Sequence, residues 1–176
     1  MSTQTVSQLG KELSEVVEQY YKSLQDYSNE DFEKTFDDDS WSMAQLYNYL
    51  FSSSRHWING KIMNCIHLRK GVPNAELTKE GSFILDRGYI SHTKKVKIPN
   101  GLPQPEPLPK AFFEKELSNY SAYLEDLVEQ INNQIEPSFG TKHPIFGMLT
   151  AKNWLTFDLI HWKHHLRQQK EIEAKF

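Results

Sequence analysis

The sequence has little of several things that would place a protein in a specialised class. It contains one cysteine, so no disulfide can form within the chain, and no apolar run has the length that crosses a membrane. Lys and Arg number 20 against 23 Asp and Glu, which gives a formal charge of -3. A general nucleic-acid binder carries a basic stripe, so we expect neither a nucleic-acid partner nor a membrane span.

What remains is typical of one ordinary domain. With 176 residues, 38% of them hydrophobic, the chain is long enough to bury a core, and we expect a single domain over residues 1–176. The N-terminal segment lacks the apolar core of a signal peptide, which favours a cytoplasmic protein. Cys65 lies in an apolar helical segment, which favours a buried structural thiol over a reactive one.

Apolar residues spaced three and four apart predict two helices in the first half of the chain. The first helix has a face made of Leu9, Leu13, Val16, Val17, Tyr20, Leu24 and Tyr27. A cap at Ser28 predicts a short piece ending near Phe36. The second long helix starts at a capping box of Ser42 and Gln45 and continues without proline to about Arg69. Its apolar face consists of Leu46, Leu50, Trp57 and Ile58.

The helical pattern is lost between Gly71 and Pro109. Residues 82–85 indicate a short strand or extended segment, and five of the eight prolines fall between Pro99 and Pro109. We expect at most a short hairpin before Pro99, and an extended arm that serves as a lid or as a strap joining two non-adjacent helices. A basic cluster of Lys94, Lys95 and Lys97 in this arm is interpreted as solubilising.

Two more helices are predicted in the second half. Pro109 suits the first turn of a helix whose apolar stripe continues from Phe113 to about Ile135. The segment from Gly140 to Gly147 reads as a loop, and Thr150 caps a last helix that runs toward the C-terminus. Four long amphipathic helices predict an all-α four-helix bundle with its longest connection between helices 2 and 3.

The last predicted helix carries three histidines within five residues. His161 and His165 are four apart and project side by side, and His164 is also within reach of His161. Neutral imidazoles so placed can share zinc or nickel, although clustered histidines are also often solvated or packed. Asp158, on the same face, is either an acceptor that orients a histidine or a member of a surface pair.

On the second helix, Tyr49 lies in line with Gln45, Ser53 and His56 at the edge of the apolar face. Periodicity alone is consistent with a solvated flank or with a site.

Taken together, Trp41-Ser-Met-Ala-Gln45 and His161-x-x-His-His165-x-x-Gln168 resemble the DinB/YfiT-like superfamily of bacterial four-helix bundles. Residues 37–41, residues 143–147 and the Pro-rich arm extend the resemblance over most of the chain. The resemblance implies a divalent-metal site of three histidines, one on the second helix and two on the last. It also implies thiol-dependent transferase, isomerase or hydrolase activity.

Carried over by position, His161 and His165 match the pair on the last helix, and Tyr49 stands where the superfamily has its third histidine. A phenol has a reference pKa near 10 and is a less ready ligand than neutral imidazole. Three outcomes are open: Tyr49 ligates through oxygen, His56 substitutes from further along the helix, or the site holds no metal.

Two functions follow. In the first, the protein is a hydrolase or thiol transferase that uses nickel or zinc on a small-molecule substrate, with a partly degenerate metal site. In the second, it has lost the third ligand and is a non-catalytic protein that binds a small ligand or forms a homodimer. Tyr49 is the residue that separates the two, and its presence favours the second.

Overall fold

The computed structural model describes residues 4–36, 40–90 and 104–176. Over these residues the protein is mostly helical, with one small three-stranded antiparallel sheet. The helices are α1 Val6–Asp26, α2 Asn29–Glu33, α3 Met43–Ser52, a π-helix Ser53–Ile58, α4 Asn59–Ile66, α5 Lys79–Arg87, α6 Lys110–Ser118, α7 Tyr120–Asn132 and α8 Ala151–Glu173. The strands are β1 Gly71–Val72, β2 Gly140–His143 and β3 Gly147–Thr150.

Helix α8 is the central element. It packs on α1, α3, α4 and the π-helix, and also on α5 and β3. Its N-terminus is capped by Thr150, as predicted, with the hydroxyl accepting from Asn153 N. Trp154 and Trp162 are fully buried, and burial of large aromatic side chains contributes strongly to a core. Among the described helices, none is both long enough and apolar enough to cross a lipid bilayer.

The structure of α1 agrees with the apolar face predicted from the sequence. All seven residues of the predicted apolar face of α1 are buried. The helix starts at a capping box between Thr5 and Gln8. Helix α2 is capped by Ser28 as expected but ends at Glu33, three residues before Phe36.

The second helical stretch also starts as predicted, because the Ser42 hydroxyl accepts from Gln45 N and the Gln45 side chain accepts from Ser42 N. It differs further along, where one π-helix separates α3 from α4. A π-turn holds more residues than an α-turn and so changes which side chains face the core. Trp57, predicted on the buried face, is 41% exposed.

The same stretch ends earlier than predicted, at Ile66 rather than near Arg69. Leu68 and Lys70 have positive φ of 54° and 52°, a backbone conformation that cannot continue a right-handed helix. Cys65, near this end, is a buried free thiol as expected.

The prediction of a strand or extended segment at residues 82–85 is wrong, since these residues lie in α5. Thr78 caps the helix by accepting from Gly81 N at 3.0 Å, and Gly88 ends it with a left-handed φ of 69°. These are ordinary helix start and stop signals, and they outweigh the short apolar run between them.

The predicted third helix is divided in two. Asn119, with φ of -101° and ψ of 4°, separates α6 from α7, and α7 ends at Asn132. Ile135, predicted at the end of the apolar stripe, is 90% exposed. Pro109 is the residue before α6, one position earlier than the predicted first turn.

The predicted loop between Gly140 and Gly147 is instead the β2–β3 hairpin, with Gly140 opposite Thr150 and His143 opposite Gly147. A strand does form after Gly71, but β1 pairs with β2 and makes no hairpin of its own. A two-residue strand carries no periodicity, and its partner lies far along the chain, so sequence patterns did not reveal the sheet. Asp37–Asp39, the three lysines near residue 95, and the prolines at 99 and 103 lie outside the described residues.

Two helical glycines allow a matched test of how α5 packs on the hairpin. A Cβ added at Gly81 would lie 2.3 Å from the carbonyl oxygen of Phe146, whereas a Cβ at Gly60 meets nothing within 4 Å. We expect Gly60→Ala to raise the free energy of unfolding by about 0.5–1 kcal/mol through helix propensity. Gly81→Ala should lower it by about 1–3 kcal/mol, because the backbone must move. Urea unfolding curves measure both, and equal effects would contradict this packing.

Candidate functional site

Tyr49 of α3 meets His161 and His165 of α8. The Tyr49 ring centroid lies 5.3 Å from each imidazole centroid, and the two imidazoles are 4.8 Å apart. The hydroxyl of Tyr49 is 3.3 Å from Nε2 of His161. The structure therefore brings together the three positions predicted from the sequence, one from α3 and two from successive turns of α8.

The cluster is held by neighbours on both sides. His161 stacks on Phe157, with centroids 5.8 Å apart and ring planes 18° from parallel. Trp41 lies 5.2 Å from the Tyr49 ring. Nδ1 of His165 is 2.8 Å from Oε1 of Gln168. Because an amide oxygen only accepts, Nδ1 of His165 carries the proton and Nε2 keeps its lone pair.

Burial keeps both imidazoles neutral at pH 7. Loss of solvation lowers the pKa of His161 well below its usual range, and the neighbouring His165 and His164 lower it further. Burial lowers the pKa of His165 to about 4, against the opposing effect of the Gln168 bond. Burial also raises the pKa of Tyr49, although a hydrogen bond to Ser53 opposes the shift. The cluster thus presents neutral nitrogen bases and a neutral phenol.

Within the described residues, two buried atoms of α8 on the face of the cluster make no hydrogen bond. These are Nδ1 of His161 and Oδ1 of Asp158. The two residues are three apart on α8, and such positions lie on one face of a helix. A buried polar atom without a partner costs free energy of order 1–3 kcal/mol. The other oxygen of Asp158 accepts from Ser54 at 2.6 Å, so the predicted bond from a histidine to this carboxylate stays a prediction.

Asp158 belongs to a buried network that sequence patterns did not indicate. The Ser54 hydroxyl bonds both Asp158 and the hydroxyl of Tyr120. Burial raises the pKa of Asp158 to about 7, although the Ser54 bond lowers it. Ser54 and Tyr120 are 66 residues apart. Sequence spacing therefore could not predict that Ser54 and Tyr120 are in contact. The signal that the sequence offered was a polar residue within an apolar stripe.

Of the remaining histidine candidates, His56 lies apart from this arrangement and His164 lies beside it. His56, on the π-helix, is exposed and packs against Phe51, with centroids 6.3 Å apart. His164 is half-buried, and its ring is 5.2 Å from His165. Within the described residues, no three His, Cys, Asp or Glu side chains are grouped closely enough to hold a metal. A three-ligand site here therefore requires the oxygen of Tyr49.

The C-terminal end of the predicted arm, at Pro105 and Glu106, is hydrogen-bonded to α3 beside the cluster. The side chain of Gln45 donates to the carbonyl of Pro105 at 3.0 Å, and that of Asn48 donates to Glu106 at 2.9 Å. Residues 104–109 thus lie along the start of α3, which carries Tyr49. The predictions of a lid and of a strap also involve residues 91–103, which are outside the described part of the chain.

The fold and the cluster define a mostly helical protein with two neutral imidazoles and a phenol meeting between two helices. A family model described as "Protein of unknown function (DUF1569)" matches residues 12–171. The chain belongs to this family. No curated protein and no solved structure matches the chain significantly.

This result overturns the assignment to the DinB/YfiT-like superfamily, because the family model that matches is a different one. The motifs behind the resemblance are a capping box and two histidines four apart on a helix. Both arise from general helix chemistry and recur in unrelated helical proteins. The contacts among Tyr49, His161 and His165 do not depend on that resemblance.

Proposed function

We propose that the protein binds zinc or nickel between Tyr49, His161 and His165, and that it is a metal-dependent hydrolase or thiol transferase acting on a small molecule. The observation that carries the proposal is the 3.3 Å separation of the Tyr49 hydroxyl and His161 Nε2, with the His165 ring equally close to Tyr49. Two atoms bound to one tetrahedral zinc, each at 2.0–2.2 Å, are about 3.3–3.6 Å apart. The spacing of the Tyr49 oxygen and the His161 nitrogen therefore supports the proposal.

The protonation of the imidazoles supports the same proposal. Metal ligation needs neutral imidazole, and burial keeps both rings neutral at pH 7. Gln168 holds the proton of His165 on Nδ1, which leaves Nε2 for a ligand. Asp158 would take the corresponding place for His161 if its Oδ1 accepted from Nδ1, since ligating histidines commonly donate to a carboxylate.

A metal bound here would supply a Lewis acid that lowers the pKa of a water or thiol close to it. The chain's own contribution is positional: Phe157 stacks on His161, and Trp41 packs on Tyr49. Both contacts exclude water from one side of the cluster and limit the rotamers of the ligating side chains.

We also propose that the helices form a four-helix bundle. Its four members would be residues 6–26, 43–66, 110–132 and 151–173, the second and fourth of which carry the cluster. Contacts of α1 with α8, α7 and α6, and of α3 and α4 with α8, support this arrangement. A bundle core is a frequent location for metal sites built from facing helices.

One observation favours a second candidate, a non-catalytic protein that binds a small ligand. Burial raises the pKa of Tyr49, and a phenol must lose its proton to become a strong ligand. If the phenol stays neutral, two imidazoles hold a metal weakly and the cluster is a polar binding surface. Elemental analysis of protein purified without a histidine tag separates the two candidates.

The ligand assignment predicts the outcome of four substitutions. His161→Ala and His165→Ala should each abolish binding of zinc or nickel, because neither remaining pair makes a stable site. His164→Ala and His56→Ala should leave the affinity nearly unchanged, since neither ring contacts Tyr49. Titration of metal-free protein with each metal measures this. An unchanged titration of His165→Ala would refute the assignment.

Activity needs its own test. Metal-loaded protein should hydrolyse a simple aryl ester, or transfer a small thiol to an electrophilic acceptor, above the rate of the His165→Ala variant. Tyr49→Phe keeps the ring but removes the oxygen. Metal bound to wild type and lost in Tyr49→Phe would establish the phenol as a ligand, whereas metal binding without turnover would favour the second candidate.

A further inference from the structure

A second feature lies where the π-helix and α4 meet the β2–β3 hairpin. An open depression of about 450 Å³ is lined there by Trp57, Lys61, Lys142 and Pro144. Its volume is in the range of small-molecule sites, about 300–1,000 Å³. None of these residues belongs to the Tyr49 cluster.

Trp57 offers a flat apolar wall that the fold leaves uncovered. Its side chain is 41% exposed, although it is anchored at its base by Trp154, whose ring is 5.3 Å away and nearly perpendicular. The π-helix turns this side chain out of the core. An indole held by packing on one side and open on the other can stack on a planar ligand at little cost in entropy.

The two lysines give the depression a positive charge. Nζ of Lys61 donates to the carbonyl of Lys142 at 3.1 Å and lies 6.0 Å from the centre of the Trp154 ring. Throughout the described part of the chain, neither lysine is in an ion pair with a carboxylate. In a protein of net charge -3, two uncompensated ammonium groups beside an exposed indole favour an anionic ligand.

His143 packs beside Trp57 and is held in place by the hairpin. Its Nδ1 accepts from the backbone N–H groups of Ile145 and Phe146, both at 3.1 Å. Because Nδ1 accepts, Nε2 carries the proton of the neutral ring. The ring stacks on Phe146 with centroids 4.2 Å apart, and its centroid is 5.6 Å from that of Trp57.

We infer that this depression is a binding site for a small planar anion, an aromatic ring that carries a carboxylate or a phosphate. The ring stacks on Trp57, and the anionic group lies against Lys61 and Lys142. Phe157 is 6.2 Å from Trp57 and 5.8 Å from His161, so the Trp57 and His161 rings are at most about 12 Å apart. Binding at the depression does not depend on a metal at the Tyr49 cluster.

The test uses the full chain in the presence of a chelator, so that no metal contributes to binding. Benzoate and phenyl phosphate are titrated separately, and the indole N–H signals are followed by NMR, with the Trp57 signal assigned from Trp57→Phe. We expect both probes to shift the Trp57 signal with one site per chain. Inorganic phosphate has an anionic group without a ring, and benzyl alcohol has a ring without an anionic group. Each should bind about tenfold more weakly or worse.

Matched variants separate a site from nonspecific contact. Trp57→Leu and Lys61→Gln should each weaken binding of both probes by about tenfold or more, measured by calorimetry, while Trp57→Phe should retain most of it. Phe83→Leu and Arg87→Gln are the controls, since this pair also combines an exposed ring and a cation, 4.2 Å apart. Binding of one probe alone would assign the anionic group. Failure of both probes, or equal losses in the control variants, would overturn the inference.

Discussion

Replacing Tyr49 by histidine is expected to raise the metal affinity of the cluster strongly. The substitution places a third imidazole where the phenol now meets His161 and His165. Three neutral imidazoles are an established ligand set for zinc. We expect the affinity for zinc or nickel to rise by about 100-fold or more, beyond the roughly 10–100-fold typical of residues that only support a ligand.

The effect on stability can be separated from the effect on metal. Losing a large ring that packs on Trp41 should cost about 1–3 kcal/mol in the metal-free protein. Zinc should then raise the melting temperature of Tyr49→His by more than that of wild type, because stabilisation by a ligand that binds only the folded state grows with the logarithm of the ligand concentration divided by Kd. Tyr49→Phe is the control for packing. Tight binding of one metal per chain by wild type, with no gain in Tyr49→His, would show that Tyr49 is already an adequate ligand.

The second large effect concerns Asp158. Burial raises its pKa from 3.8 to about 7. Between these two pH values the carboxyl group is protonated in the folded state and ionised in the unfolded state. The contribution of this group to the free energy of unfolding is therefore fully present below pH 3.8 and is lost as pH rises through 7. One pKa unit corresponds to about 1.4 kcal/mol, so the loss amounts to about 4 kcal/mol above pH 7.

Asp158→Asn should remove this dependence, since an amide does not ionise. We expect its free energy of unfolding, relative to wild type, to increase by about 4 kcal/mol between pH 4 and pH 8. The histidines with lowered pKa titrate in both proteins and cancel in the difference. Guanidinium unfolding of chelator-treated protein across this pH range measures it.

Asp126→Asn is the matched control, because this carboxylate is exposed on α7. Its unfolding free energy should follow that of wild type at every pH. Parallel curves for wild type and Asp158→Asn would show instead that Asp158 is ionised without penalty in the folded state, with the Ser54 bond compensating for burial.

Features encoded within one or two helical turns were correctly predicted from the sequence. The capping residues Ser28, Ser42 and Thr150 start helices as expected. The apolar face of α1 is buried throughout. These features depend on backbone geometry and on the separation of apolar from polar side chains, both of which act over a few residues.

Features that depend on distant partners were missed or misread. The apolar residues 82–85 lie in a short helix held between Thr78 and Gly88, and Gly81 lies against Phe146 of the hairpin. The π-helix also escaped prediction, because the sequence from Ser42 to Ile66 has no proline to interrupt it. Its presence decides that Trp57 faces solvent and that Ser54 reaches Asp158.

The candidate cluster shows the same division. The sequence by itself determined that His161 and His165 share a face of a helix, because four residues make about one turn. It also determined that a tyrosine lies at the edge of another helix's apolar face. Only the tertiary structure decided that these two faces meet, that Asp158 bonds Ser54, and that burial keeps both imidazoles neutral. The physical reason is that periodicity describes one helix at a time, whereas ligand distances and desolvation depend on how helices distant in sequence pack together.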